Sequence, residues 1–182
     1  MKELLDQIGA ALEQNLYYLA LMGSLAIPDI CGAMESEDGE ATGARYKEWF
    51  DKYVPPAWFE SEPAVTGEDC YRFRCSLLHQ GSSQHERSRY SGVMFLDPRA
   101  QNVMCHRSVF ISGSGESERR LLVLDIRLFC LEIICGAERW LKQSEGTPDY
   151  ERNYDRFFRR RTEEVDLQGI QVTPVRGIPF IT

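Results

Sequence analysis

Residues Leu121–Leu141, LLVLDIRLFCLEIICGAERWL, form the most apolar window of the chain, and the fold class turns on how that window is read. Its length would suit a membrane span. It carries Asp125, Arg127, Glu132, Glu138 and Arg139, however, and each charge near the middle of a bilayer costs about 2.5–3.5 kcal/mol. The window therefore reads, through Lys142, as one long helix buried in a globular core, central to a bundle.

The flanking sequence supports a bundle. Residues 3–26 carry Leu5, Ile8, Leu12, Leu16, Leu19 and Met22 at helical spacings of three and four. Pro28 predicts a kink or stop near Ile27, with a continuation to about Met34. Glu35–Gly43 reads as a solvated acidic loop. Ala44–Tyr53 reads as a short helix with Tyr46, Trp49, Phe50 and Tyr53 on one side, stopped by Pro55-Pro56. Tyr90–Leu96 and Val103–Ile111 read as strands joined by a turn at Asp97–Asn102, hence a hairpin. Tyr150–Arg161 reads as an amphipathic helix with Tyr150, Tyr154 and Phe157 on one face. The expected fold is mainly α (α+β): a single domain over 1–182, a bundle of roughly four to six helices. A small antiparallel β-hairpin at about 90–112 and a C-terminal strap at about 165–182 elaborate it.

Composition limits the function classes. The 182 residues are 43% hydrophobic and 27% charged, which suits one globular domain that needs no disulfide to hold its core. Net charge is -7. Residues 1–91 hold 8 Lys+Arg against 15 Asp+Glu, and residues 92–182 hold 13 of each. A uniformly basic nucleic-acid-binding surface is excluded, so any phosphate contact must be local. The start Met1-Lys2-Glu3-Leu4-Leu5-Asp6 lacks the apolar run of a signal peptide. With six cysteines mostly in apolar segments, that predicts a reduced, cytoplasmic protein and no membrane partner.

The chemistry-bearing segment is Thr66–Gly81. Thr66 with Asp69 three residues later matches a capping box, and Gly81 is a C-terminal stop, so a helix is predicted between them. On its wheel Arg72 lies on a polar stripe with Glu68, Asp69, Ser76, His79 and Gln80, whereas Arg74 falls within the apolar stripe. A guanidinium there needs an ion pair, an interface or a cavity. Arginine can clamp a phosphate through its planar fork, and histidine can exchange a proton near neutral pH. Together they suffice for metal-free attack of a ribose 2′-OH on its own phosphate. Each residue also has a plainer use. His79 can favour the helix C-terminus, Arg72 can pair with Glu68 or Asp69, and Asp69 can complete the cap. Cys70, Cys75 and His79 do not match a standard zinc spacing, so neither a metal nor another cofactor is expected. His85 and His106 have no evident partner in sequence.

Arg74-Cys75-Ser76-Leu77-Leu78-His79 resembles the Arg-x4–6-His motif of the HEPN (higher eukaryotes and prokaryotes nucleotide-binding) domains, and Arg72 with His79 fits it too. The resemblance implies a helical bundle that forms a homodimer. It also implies a metal-independent endoribonuclease of toxin–antitoxin, stress or defence type, with an antitoxin or regulatory protein as a further partner. His79 would serve in acid–base or phosphate-orienting duty, and Arg74 or Arg72 would contact the scissile phosphate. Arg152, Arg156, Arg159 and Arg160 are candidate RNA contacts, although interspersed carboxylates dilute their field. The alternative is a non-catalytic interaction module of the same fold, with Arg74 in a protein interface.

Overall fold

The computed structural model describes residues 1–54, 65–97, 99 and 105–182. The Pro55-Pro56 stop, most of the Asp97–Asn102 turn and the start of the Val103–Ile111 strand lie outside the described residues. Six helices dominate: α1 (Lys2–Glu13), α2 (Tyr17–Met34), α3 (Gly43–Tyr53), α4 (Gly67–Gln80), α5 (Ile126–Ser144) and α6 (Pro148–Tyr154). The mixed, mainly helical α+β class is as expected.

The central helix is α2, not the Leu121–Lys142 segment. It packs on α1, α3, α4, α5 and α6 and buries Leu21, Leu25, Ile27 and Cys31. Among the described residues it is also the helix long and apolar enough to cross a membrane, yet half of it is buried inside the fold. Its only charged residue is Asp29. The predicted helix over 3–26 breaks earlier than Pro28. Asn15 adopts φ 59°, a left-handed conformation that asparagine tolerates, and this separates α1 from α2. Pro28 sits inside α2, so its missing N–H does not end the helix.

The apolar window itself divides. Its first residues belong to strand β3 (Arg119–Asp125), and α5 starts only at Ile126, where the Asp125 side chain accepts from Leu128 N at 2.9 Å. A short run such as Leu121-Leu122-Val123-Leu124 has no periodicity that separates buried strand from helix. The predicted 90–112 hairpin is also corrected. β1 (Gly92–Leu96) and β2 (Ser108–Ser112) do not pair with each other; both flank β3 in the order β1-β3-β2. β1 runs parallel to β3, with Val93 opposite Leu122, and β2 runs antiparallel, with Val109 opposite Leu122. The hairpin present is β2–β3, turned through a 3-10 segment at Gly115–Ser117. Val93, Phe95, Leu122, Leu124 and Val109 form the sheet face against the helical core, where Phe95 meets Phe73 of α4 and Phe129 of α5.

The Tyr150–Arg161 helix is shorter than predicted. α6 ends at Tyr154, the chain turns, and β4 (Arg160–Arg161) pairs antiparallel with β7 (Phe180–Ile181). The aromatic side survives as a ladder: Tyr150 and Tyr154 stack at 5.4 Å, and Tyr154 and Phe157 at 6.1 Å. Between these strands β5 (Val165–Leu167) and β6 (Ile170–Val172) form a hairpin. Its two turn residues, Gln168 and Gly169, both have positive φ, as a two-residue turn matched to strand twist requires.

Candidate functional site

Helix α4 forms as its sequence dictates. The Thr66 side chain accepts from Asp69 N, the Asp69 side chain accepts from Thr66 N, and Gly81 closes the helix at φ 64°. α4 leans on α3 so closely that a Cβ on Gly67 would run into the Lys47 backbone, so only glycine fits the first position. Tyr46 of α3 contacts Cys70 of α4, hydroxyl to thiol, at 3.2 Å. Burial pushes the Cys70 thiol up to about 12. Cys70 is thus an inert core thiol rather than a neighbour of His79.

This packing orients the two arginines differently. Arg72 turns back to Glu68 at 2.7 Å, one helical turn away, and Glu68 is shared with Lys47 of α3 at 2.5 Å. Arg74 points to the opposite side. Its Nη1 lies 3.3 Å from His79 Nε2, and its Nη2 lies 2.7 Å from Asp29 Oδ2 on α2. Of the two arginines that fit the spacing, Arg74 is the one beside His79.

The partnership fixes the histidine chemistry. A guanidinium only donates, so His79 Nε2 must be the acceptor, with the ring proton on Nδ1. His79 is solvent-exposed, so the pair lies at the protein surface. Arg74 and Asp29 are more enclosed, their side chains 22% and 15% exposed. Burial raises the Asp29 pKa above its ordinary value, although the charge and hydrogen bond of Arg74 pull the other way. The ion pair is imperfect: Arg74 Nε is buried without a hydrogen-bond partner. Asp29 Oδ2 is likewise buried without a well-formed hydrogen bond, so the open side of this guanidinium is the one that faces the exposed His79 imidazole.

Asp29 was not singled out from sequence. The available signal was its isolation as the one charge in an otherwise apolar helix. His106 also has partners that no local spacing revealed. Its Nδ1 accepts from Asp125 N at 3.1 Å, and its Nε2 lies 3.2 Å from Glu132 on α5. Arg107 joins the same carboxylate at 3.1 Å. Burial alone would raise Glu132, but His106 and Arg107 together hold it below its usual value. With both ring nitrogens engaged, His106 pins the β3–α5 junction and has no lone pair to offer.

The four tail arginines do not form a common face. Arg152 reaches the Ser36 and Glu37 carbonyls and Asp149, and Arg156 reaches the Asp38 carbonyl and Glu40. Arg159 lies over the Tyr154 ring, and Arg160 pairs with Glu3. The predicted helix over Tyr150–Arg161 would put Arg152, Arg156 and Arg159 on one face, but α6 stops at Tyr154. Comparison with protein-family models, with curated proteins and with solved structures finds no match for this chain.

Proposed function

We propose that the protein is a metal-independent endoribonuclease of HEPN type, with Arg74 as the phosphate clamp and His79 as the proton-transfer group. The observation that carries the reading is the 3.3 Å approach of the Arg74 guanidinium to the lone-pair nitrogen of an exposed histidine. In the proposed reaction a substrate phosphate draws Arg74 away from His79 Nε2. The freed lone pair accepts the 2′-OH proton as the 2′-oxygen bonds to phosphorus. The bond to the 5′-oxygen breaks, and the proton returns to that oxygen. The products are a 2′,3′-cyclic phosphate end and a 5′-hydroxyl end. Arg74 stabilises the charge that develops on the phosphoryl oxygens. Asp29 positions Arg74 and does not touch the substrate.

A homodimer belongs to this proposal. Leu16 at the N-cap of α2, with Leu19 and Met22 in the helix, leaves an exposed apolar stripe. Met22 lies two turns before Asp29, on the same face. A second copy over that stripe would set two Arg74–His79 pairs near one axis. Roles as a toxin or defence effector, an antitoxin-like partner and a cytoplasmic location are part of the same reading.

The test is incubation of purified protein with RNA in excess chelator. Cleavage is expected, with cyclic phosphate ends, and its loss in His79→Ala. Absence of cleavage, or equal cleavage by the variant, ends the catalytic reading. One observation favours the non-catalytic interaction module, namely that Asp29 already engages Arg74. Salt separates the two, because a ribonuclease binds RNA more weakly as salt rises, whereas an interaction module need show no RNA binding.

A further inference from the structure

A cavity lies away from α4, between the first helix and the last strands. The start of α1, the end of α5, the α6 aromatic ladder and strands β4 and β7 enclose a cavity of about 270 Å³. Two kinds of group dominate its mouth. Tyr154, Phe157 and Phe158 supply ring surface, and Phe158 is 72% exposed. Lys2, Arg159 and Arg160 supply positive charge.

The charges are not evenly matched. Arg160 pairs with Glu3 at 3.0 Å, and Lys2 lies 3.8 Å from Glu145. Arg159 is left with a loose contact to exposed Asp155 at 3.6 Å. Its Nε is buried without a hydrogen-bond partner. Its guanidinium carbon lies over Tyr154, 4.6 Å from the ring centre. The cavity thus offers one guanidinium whose outer nitrogens meet only a loose carboxylate, a second that can exchange its carboxylate, and an exposed ring beside them.

We propose that this cavity binds one nucleotide, its phosphate on Arg159 and Arg160 and its base against Phe158 and Phe157. The forked guanidinium favours a phosphate, and exposed aromatic rings favour a planar base without selecting its sequence. The volume, slightly below the range of about 300–1,000 Å³ for drug-sized ligands, admits one nucleotide and not a longer segment. The site does not use His79 or Arg74, so it stands apart from the proposed cleavage.

The full chain is titrated by calorimetry with the four ribonucleoside 5′-monophosphates, with adenosine and with inorganic phosphate. At least one monophosphate is expected to bind with Kd below about 1 mM. Adenosine and phosphate alone are each expected to bind at least about tenfold more weakly, since each keeps only half the contacts. Arg159→Gln should weaken the monophosphate about tenfold or more. Phe158→Ala, at an exposed position that folding does not need, should do the same while leaving phosphate binding unchanged, and His79→Ala should change nothing. The proposal is overturned if no monophosphate binds below about 5 mM, if phosphate alone binds as well as the nucleotide, or if both cavity variants bind like the parent.

Discussion

At the N-terminal end of α4, Asp69 is almost wholly buried, yet each of its oxygens has a donor. Arg89 reaches both, at 2.7 to 3.1 Å, and the Thr66 hydroxyl and amide add 2.7 and 3.0 Å contacts. At the C-terminal end, Arg74 keeps a buried Nε without a partner, and its neighbour His79 faces solvent. One end is a closed polar network and the other an open one. Closed networks rigidify a fold, and open ones hold binding capacity in reserve. Charge on a helix is therefore not enough to mark a site; the incompleteness of its partners is the sharper sign.

The contrast can be broken experimentally. The largest effect expected is on chemistry. His79→Ala should lower RNA cleavage by about 10²–10⁴-fold while moving stability by less than about 0.5 kcal/mol, measured by rate assay and urea unfolding on the same preparation. A large loss of stability would mean that the open end is structural after all. Next comes Asp69→Ala, which removes the cap and the Arg89 pair. It should cost about 2–4 kcal/mol, read as a lowered urea midpoint; an unmoved midpoint would refute the closed network.

Acid should separate the ends by sign. Glu68, in the first turn of α4, has its pKa lowered by Lys47 first and by Arg72. Its contribution is present above the unfolded value of 4.5 and is lost as pH falls through the lower folded value. Asp29 has a raised pKa, so its contribution is present below 3.8 and is lost as pH rises through the higher folded value. Urea titrations across this range should show the parent's advantage over Glu68→Gln growing with pH, by at most about 1 kcal/mol for a pair this exposed. The parent's advantage over Asp29→Asn should shrink with pH. Parallel profiles would show that Asp29 is not held against its burial. The smallest effect belongs to Arg72→Ala, which should cost less than about 0.5 kcal/mol and leave cleavage unchanged. A cleavage defect there, with Arg74→Ala active, would transfer the clamp to Arg72.

Some of this was legible in sequence and some was not. Thr66, Asp69 and Gly81 bounded α4 correctly because capping acts within four residues of backbone. The Tyr46, Trp49, Phe50 and Tyr53 stripe of α3 is buried as its spacing implied. Of the candidate site, the spacing of Arg72, Arg74 and His79 can be read, and so can the Arg72–Glu68 ion pair as an alternative use of Arg72. Asp29 could not be read, since it meets Arg74 from 45 positions away in the chain. The same limit hid β3, whose apolar run fits a buried strand and a buried helix equally well. It also hid His106, whose partner Glu132 lies on another element.

The amino-acid order alone determined where α4 caps, which face of α3 is apolar, and that an arginine and a histidine share one helix. Those properties follow from contacts within a turn or two of chain. Only the folded chain decided that α2 is the centre, that β3 splits the apolar window, and that Arg74 rather than Arg72 meets His79. Each of these depends on groups brought together from distant positions, where burial and charge act through space and leave no periodic trace in the sequence.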